Sequence, residues 1–574
     1  MLILGINSGS HDACACLFEE YRMLAAVPLE RVTRKKGDGG RIPVEAIDEC
    51  LAIAGRKRAE IGAVAMARGM FPTRLYRHFP PGRHIAFELR RRLGRERHKY
   101  MENECVRYGR TDSAAMFDGK RFKRELDLAP AAAIAFCNHH LAHALPCLFH
   151  TGWPEALLYT ADGGGDNVQY SMRLFRDGKL TELYGGEAEL KRPRRVDSLG
   201  QAYAYATEAL GFLPFRHEGK VTGLAAFGKP TLYDALIKHF RVDDQGQVHS
   251  DYPSYRAMRQ HIFDLAQGAR REDVSASVQL LLENVIIDSV GRILARHPMR
   301  FLGLSGGVFA NVRLNQRLAE ELPLDEVFIY PSMSDQGLAA GAVLQYLLER
   351  DGMEHWLAAG WPLRTLYYGR DFNGAIDATF DRDPRFNRVT ENPVAGAAEL
   401  LQQGRIVAIY VKGMEYGPRA LGARSIMASA LDADINRTLN DRLSRSEFMP
   451  FAPVVMDEDA ETVFDLGPVK RRAASFMTIT CGVRDEWRTR IPAVVHVDGT
   501  ARPQVIERAQ NRLYYDILAA YKDLSGVPVL INTSFNVHEE PIINSPDECA
   551  RALADGRVDF VVTEGGVYGR GGAD

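Results

Sequence analysis

Three histidines crowd five positions in the stretch NHHLAHA, residues 138–144. If the stretch is helical, His139 and His143 stand at i and i+4. Their rings then project from one face about one turn apart, the spacing at which two imidazoles share a metal ion. His140 points elsewhere. A plainer reading has Asn138 capping the helix and the imidazoles only hydrogen-bonding. No Glu follows the first His, so the pattern is not the H-E-x-x-H of zinc proteases, and a metal needs a further ligand from elsewhere in the chain.

The elements that must position these residues form a repeat. The first thirty residues read as strand, polar glycine loop, strand, turn, strand: LILGINS, GSHD, ACACLFEE, RMLAAVPLE. The same grammar returns from position 156 in ALLYTADGGGDNVQYSMRLFRDGKLTELYGG, an apolar strand ending in Asp162, three glycines, a second strand, a DGK turn and a third strand. Two unrelated hairpins with glycine turns would read alike. Two such modules in one chain are the signature of a duplicated ATPase core of the actin, sugar-kinase and Hsp70 type, with nucleotide between the halves. Gly163 and Gly164 then allow phosphates to approach the backbone. In MRFLGLSGGVFANVRLNQRLAEEL (299–322) a strand, the Ser-Gly-Gly turn with Gly306 and Gly307, and a helix suit an anionic ligand at the helix N-terminus. In EVFIYPSMSDQGLAAGAVLQYLLE (326–349) Asp335 opens a helix of small residues; an N-cap is its default role, but the same loop faces the cleft of this architecture. Asp335 is therefore the candidate third ligand, and two imidazoles with one carboxylate leave positions open for substrate oxygens.

At 574 residues, 46% hydrophobic and 25% charged, the chain reads as a globular protein of two or more domains. Lys plus Arg (72) nearly equals Asp plus Glu (74), so no global field points to nucleic acid or an anionic membrane. Eight cysteines are scattered without a C-x-x-C pair, which suits reduced thiols in a cytoplasm. The N-terminus lacks a basic n-region and no run of about eighteen apolar residues occurs, so a cytoplasmic protein without a membrane partner is expected.

In the C-terminal half, QQGRIVAIYVKGMEYGPRALGARSI gives a helix end, the strand IVAIYV and a glycine loop bearing Arg419 and Arg424. Two planar guanidinium groups there can converge on one oxyanion, although a single loop arginine is ordinarily just solvated. Arg502 in DGTARPQ and Asn532 at the end of the strand VPVLI add further donors where α/β folds place ligands. Lys220 in HEGKVTG is a candidate phosphate contact, with plain exposure as its alternative. The basic region 89–124 reads as a solvated helical face, and as the place for acceptor recognition.

Taken together, HDA (11–13), NHHLAHA, TADGGGD (160–166), SLGQAYAYAT, EGKVTGLAAFG (218–228), LSGGVFANV, SDQGLAAGA, GMEYGPRALGARSI, FMPFAPVV (448–455), IPAVVHVDGTARPQV and INTSFNVHEEPIINSPDEC resemble the NodU/CmcH O-carbamoyltransferases, in that family's order and over nearly the whole chain. The resemblance implies an α/β fold: a TsaD-like, duplicated actin/Hsp70-like core over about 1–360, with a basic insertion near 70–128, then a YrdC-like domain over 361–574. It implies ATP and carbamoyl phosphate as co-substrates, Mg(II) with the ATP, carbamoyl-adenylate formed in the YrdC-like part, and transfer to a small-molecule or glycan hydroxyl at a metal-containing site. On it, His139, His143 and Asp335 match the ligands of a divalent metal, iron(II). His11 matches the histidine beside the acceptor hydroxyl, and Asp162 is the alternative base. Lys412, Arg419, Arg424, Arg502 and Asn532 are the activation-site candidates; Gly163, Gly164, Lys220, Gly306, Gly307 and Asn311 are the candidates for nucleotide or adenylate in the N-terminal part. A homodimer is compatible with this reading.

The chain departs from the family where Gly-Arg usually stands before Met-Glu: it has Lys412-Gly413, so one arginine is missing at its usual position, and Lys412 offers its charge without the bidentate fork. After R-x-T-R-K-K (31–36) the family's histidine is Gly37, and Pro28-Leu29 stand where an acidic pair is usual. Pro146 cannot donate to the Ala142 carbonyl, so a kink is expected just past His143. Two rival readings are carbamoyl transfer to a protein thiol, as in hydrogenase maturation, and a non-catalytic nucleotide-dependent part of an RNA-modifying assembly. The absent C-x-x-C pairs disfavour the first and the near-neutral charge the second.

Overall fold

The computed structural model describes residues 1–445 and 449–571. Phe448, which opens the FMPFAPVV motif, lies outside the described residues. Strands β1 (Leu2–Asn7), β2 (Cys14–Glu19), β3 (Arg22–Pro28), β4 (Ile61–Ala67) and β5 (Ala133–Cys137) form one sheet in the order β3-β2-β1-β4-β5. The first three are antiparallel neighbours, whereas β4 runs parallel to β1 and β5 parallel to β4. Strands β6 (Glu155–Gly165), β7 (Val168–Arg176), β8 (Lys179–Tyr184), β9 (Phe301–Ser305) and β10 (Glu326–Ile329) repeat this as β8-β7-β6-β9-β10, with the same sequence of antiparallel and parallel pairs. The duplication read from the two glycine-loop modules is borne out.

Local chemistry explains the strands. β1 is an uninterrupted apolar run apart from its last residue and is buried along its whole length, as a strand covered on both faces must be. The DGK turn joins β7 to β8 with Asp177 and Gly178 both at positive φ, 52° and 69°, the requirement of a two-residue hairpin loop that follows strand twist.

Five helices matter for the site: α1 (His139–Phe149), α2 (Glu218–Ala225), α3 (Arg271–Arg296), α4 (Val312–Glu321) and α5 (Leu338–Asp351). Helix α1 runs through Pro146 and continues to Phe149. The Ala142 carbonyl, which the proline cannot satisfy, lies against Gly341 of α5 so closely that a Cβ there would overlap it. At the other side of α5 the Ala339 carbonyl lies as closely against Gly5 of β1. Helix α5 is thus wedged between α1 and the first sheet by two backbone contacts that only glycine permits. Ile3, Leu148, Phe328 and Val343 share one buried cluster, so β1, α1, β10 and α5 join the two repeats through a common core.

The C-terminal part is built on an eight-stranded mixed sheet of β11 (Phe386–Thr390), β12 (Val407–Tyr410), β13 (Arg424–Ser429), β14 (Ala452–Met456), β15 (Gln504–Ile506), β16 (Val529–Ser534), β17 (Phe560–Thr563) and β18 (Gly566–Arg570). Its order is β11-β18-β17-β12-β13-β16-β14-β15. Between β4 and β5 the inserted segment forms a ribbon of Met70–Pro72 with His98–Tyr100 and a helix, Pro81–Arg92, none of whose residues is buried. All eight cysteines are buried and free. No described helix is long and apolar enough to cross a membrane.

Candidate metal centre

Asn138 caps α1 as its position suggests, its side chain accepting from Leu141 N at 2.8 Å. The first turn is further fixed by Asp166, which accepts the His139 N–H at 2.7 Å while held by Arg68 Nη1 at 2.6 Å. Arg68 follows β4 and Asp166 follows β6, so this buried ion pair ties α1 to both repeats. The His139 ring lies over Gly165, where a Cβ would overlap it. His140 turns away as expected and is buried against Thr160 Oγ1 (2.7 Å) and the Val168 carbonyl (3.2 Å). Burial, with His139 and His143 beside it, holds His140 well below the usual imidazole range.

The two rings on the other face meet two carboxylates. His143 Nε2 lies 3.2 Å from Asp162 Oδ2 and 3.6 Å from Asp335 Oδ1; His139 Nε2 lies 3.9 and 3.8 Å from the same atoms. All four ligand atoms fall within 4.8 Å of one another. Nε2 of both histidines and Oδ1 of Asp335 are buried without a hydrogen-bond partner. Four mutually facing donor atoms of the types that bind divalent metals, three of them orphaned, fit one ion. Asp335 opens a short 3₁₀ turn ahead of α5 whose N-cap position is taken by Ser334, and its Oδ1 is left without a hydrogen-bond partner. Its backbone is held by Asn7, whose Nδ2 donates to the Asp335 carbonyl at 2.9 Å. Asp162, singled out in the sequence as an alternative base, stands inside this group and also accepts from the amides of Gly163 (2.5 Å) and Gly307 (3.3 Å). Burial opposes a charge on His139, but the facing carboxylates of Asp162, Asp335 and Asp166 outweigh it and raise the imidazole to about 9. A cation entering the group replaces that proton.

His11 sits at the rim. Its Nδ1 is 3.3 Å from Asp12 Oδ2, and burial is again outweighed by Asp12, Asp335 and Asp162, which raise it to about 10. Ser10 N, next to it, donates to the Tyr100 hydroxyl at 2.6 Å, so the inserted segment reaches this loop. Gly306 packs against Ala161 and its N–H donates to the Met333 carbonyl at 2.8 Å, drawing the Ser-Gly-Gly turn toward Asp335. The expected helix does not follow that turn directly: a 3₁₀ turn, Gly307–Ala310, intervenes and Asn311 caps α4 instead. Asn311 also donates to Gln279 Oε1 at 2.8 Å and reaches Thr222 Oγ1 at 3.5 Å.

A second group, His217, His538 and Glu539, has metal-like proximity but the wrong hydrogen bonds. Leu213 N donates to His217 Nδ1 (3.2 Å), which leaves the proton on Nε2, 2.8 Å from Glu539 Oε1. Lys220 Nζ lies 3.4 Å from His538 Nε2, and Arg216 pairs with Glu539 at 2.6 Å. This group ties the N-terminal part to the loop around 538.

The loop 413–424 is organised by a residue the sequence reading missed. Glu415 is fully buried, and its Oε1 accepts the amides of Leu421, Ala423 and Arg424. Arg424 is equally buried; Nη1 donates to the carbonyls of Val411, Ala423 and Lys412, while Nε and Nη2 have no hydrogen-bond partner. Its guanidinium lies 3.7 Å over the Tyr410 ring. Lys412 stands at φ 56° and is half-buried. Asn532 Nδ2 donates to the Ala420 carbonyl, beside Arg419, and to Gln504 Oε1, two residues past Arg502. The sequence candidates of the C-terminal part are therefore drawn around one loop. Two contacts join that loop to the first half: Arg31 Nη2 donates to the Gly417 carbonyl at 2.8 Å, and the Tyr416 hydroxyl donates to the carbonyl of Gln336, next to Asp335.

Two family patterns match this chain, one described as Carbamoyltransferase N-terminus over residues 2–344 and one as Carbamoyltransferase C-terminus over 398–570. The chain belongs to the carbamoyltransferase family. Among relatives, the carbamoyltransferase is 30% identical to nodulation protein NolNO of Sinorhizobium fredii over 97% of this chain and 78% of that one. It is 31% identical to nodulation protein NolO of Bradyrhizobium diazoefficiens over 74% and 77%, and 28% identical to an uncharacterised protein of Methanocaldococcus jannaschii over 98% of each. Among solved structures, T. kodakarensis HypF aligns over 61% of this chain and 48% of that chain at 12% identity and a TM-score of 0.34. A ROK family glucokinase from Streptomyces griseus aligns over 60% and 99% at 16% and 0.31.

Proposed function

We propose that this carbamoyltransferase is ATP-dependent, makes carbamoyl-adenylate from carbamoyl phosphate in its C-terminal part, and passes the carbamoyl group to a hydroxyl of a natural product or glycan in its N-terminal part. The observation that carries the reading is the pairing of two unlike sites in one chain, the His139, His143, Asp162 and Asp335 group and the guanidinium-bearing loop 413–424, in contact through Tyr416 and Gln336. Balance requires that water take the phosphoryl group of carbamoyl phosphate, leaving carbamate and phosphate, and that the carbamate oxygen then attack the α-phosphorus of ATP with pyrophosphate leaving. Arg424, with two buried donor nitrogens left without partners, suits the oxyanions shed in both steps, with Arg419, Arg502 and Lys412 as the further cationic donors in this reading, and Asn532 holds the loop at the Ala420 carbonyl.

A cavity of about 300 Å³ between the two parts, lined by Thr222, Gln279, Val312, His496 and Asp498 among others, has a size that suits the nucleoside end of an adenylate. In this reading Gly163, Gly164, Lys220, Gly306, Gly307 and Asn311 are the N-terminal contacts of the adenylate's phosphate. The ion held by His139, His143 and Asp335, with Asp162 beside them, is a divalent metal, iron(II) in this proposal, and supplies Lewis-acid polarisation when bound; Mg(II) accompanies ATP. His11 orients the acceptor hydroxyl and takes its proton. That role needs a neutral ring; Asp12, Asp335 and Asp162 hold the imidazole proton, and a cation bound at the last two would weaken part of that hold.

The test is pyrophosphate release that requires ATP and carbamoyl phosphate together. Release without carbamoyl phosphate, or none at all, would sink the reading. Arg424→Lys should keep the charge but lose the planar fork, lowering pyrophosphate release about tenfold while chemically supplied carbamoyl-adenylate is still used normally. Equal release by the variant would remove Arg424 from the activation site.

A further inference from the structure

We propose that Phe215 is an acceptor-binding residue, its ring the platform on which the apolar face of a neutral saturated ring such as a pyranose rests while one of the ring's hydroxyls meets His11. The inference rests on the transfer reading above. Phe215 has φ 64°, a left-handed conformation that is a genuine outlier for a bulky side chain. The loop over-determines it: Phe215 N donates to Glu218 Oε1 at 2.5 Å, Leu213 N to His217 Nδ1 at 3.2 Å, and Gly211 turns the chain at φ 77°. A turn with no further task would take Gly or Asn at that position at lower cost. Instead it carries a phenyl ring that remains 52% exposed. Strain kept at a solvent-facing aromatic points to a partner that arrives from solvent.

The surroundings say what kind. The ring is nearly parallel to that of His11, with 18° between planes and 6.1 Å between centroids. Its Cε1 would be 3.5 Å from a Cβ on Gly163, so the phenyl also overhangs the loop that follows Asp162. Polar groups of both signs flank it: Gln201, donating to the Gly163 carbonyl at 3.3 Å, Glu218, Arg216 paired with Glu539, and Asp12 behind His11. Carboxylates outnumber the one guanidinium among these groups, so an anionic ligand gains nothing here. A pyranose fits the alternation, setting its axial C–H bonds against the phenyl face and its equatorial hydroxyls toward the polar rim.

The experiment uses the full chain with methyl β-D-glucopyranoside and open-chain sorbitol as probes, with binding read by saturation-transfer NMR. The pyranoside should bind with its axial protons most strongly saturated, and sorbitol should not. Phe215→Ala should weaken pyranoside binding by about tenfold or more, while Phe215→Tyr and Phe215→Trp, which keep a flat face, retain it. Pyrophosphate release should stay unchanged in all three, which also reports that they fold. Undiminished pyranoside binding by Phe215→Ala, equal binding of sorbitol, or no pyranoside binding by the wild type would overturn the proposal. So would loss of AMP binding in Phe215→Ala with pyranoside binding kept, which makes the ring an adenine platform. A wild type that binds the pyranoside but releases no pyrophosphate would count against the function reading and leave Phe215 standing.

Discussion

His143→Ala should lower carbamoyl transfer by about 10³-fold and bring bound metal to background, while leaving pyrophosphate release within about twofold of wild type. The asymmetry follows from placement. His143 is fully buried, and its Nε2 is the nitrogen nearest both Asp162 and Asp335. Its Nδ1 is oriented by Ser305 at 3.4 Å. Removing the ring leaves two half-buried carboxylates facing each other across a gap with only His139 between them, a weak and mis-shaped site. The loop 413–424 has its own anchors in Glu415 and Asn532 and keeps its geometry. Elemental analysis, pyrophosphate assay and single-turnover transfer from supplied carbamoyl-adenylate separate the outcomes. A variant that loses both half-reactions with its fold intact would refute the division into two sites, and one that retains stoichiometric metal would remove His143 from the ligand set.

Gly341→Ala should be as damaging without touching any polar side chain. The new methyl would overlap the Ala142 carbonyl oxygen, a backbone atom that cannot step aside because it belongs to the turn of α1 between His139 and His143. Helix α5 must then shift, and Gly5 against the Ala339 carbonyl blocks the movement on the other side. A loss of about 3 kcal/mol or more is expected in denaturant unfolding, at the upper end for overpacking, with metal binding lost alongside. Gly291→Ala is the control: it lies inside α3 with only a Leu322 methyl 3.6 Å from the added atom, and should be neutral or stabilising by about 0.5–1 kcal/mol. Similar destabilisation by the two substitutions would show that the α1 and α5 crossing has no special tolerance for glycine.

Much of this was legible in the chain. The repeat was readable because strand, glycine loop and hairpin turn are local signals, and both sheets obey it. The Asn138 cap and the common face of His139 and His143 were readable because helical spacing is local too. What was not readable depends on closure of one repeat against the other. Asp162 looked like the end of a strand with a base role in reserve, and only the approach of β6 to α1 brings it among the imidazoles. Glu415 looked like one more polar residue in a glycine loop, because three amides converging on one oxygen have no sequence signature. Gly165 and Gly341 passed as generic small residues; their necessity lies in a ring and a carbonyl contributed from other elements. The capping role of Asn311 was obscured by reading Ser-Gly-Gly as the helix start, when four more residues were needed to finish the turn.

The crossing of α1 and α5 has a consequence for the chemistry of chelation. His139 and His143 ride on the helix that ends the first repeat, Asp162 on the opening strand of the second, and Asp335 on the turn that leads into α5. Neither repeat holds a complete coordination set. A rotation of one lobe about that crossing would pull one lobe's candidate ligands away from the other's, so affinity for an ion there would be a measure of lobe closure. An ion drawn in by the four residues would work back on the lobes as a strut, and a substrate that wedged the cleft apart would loosen it.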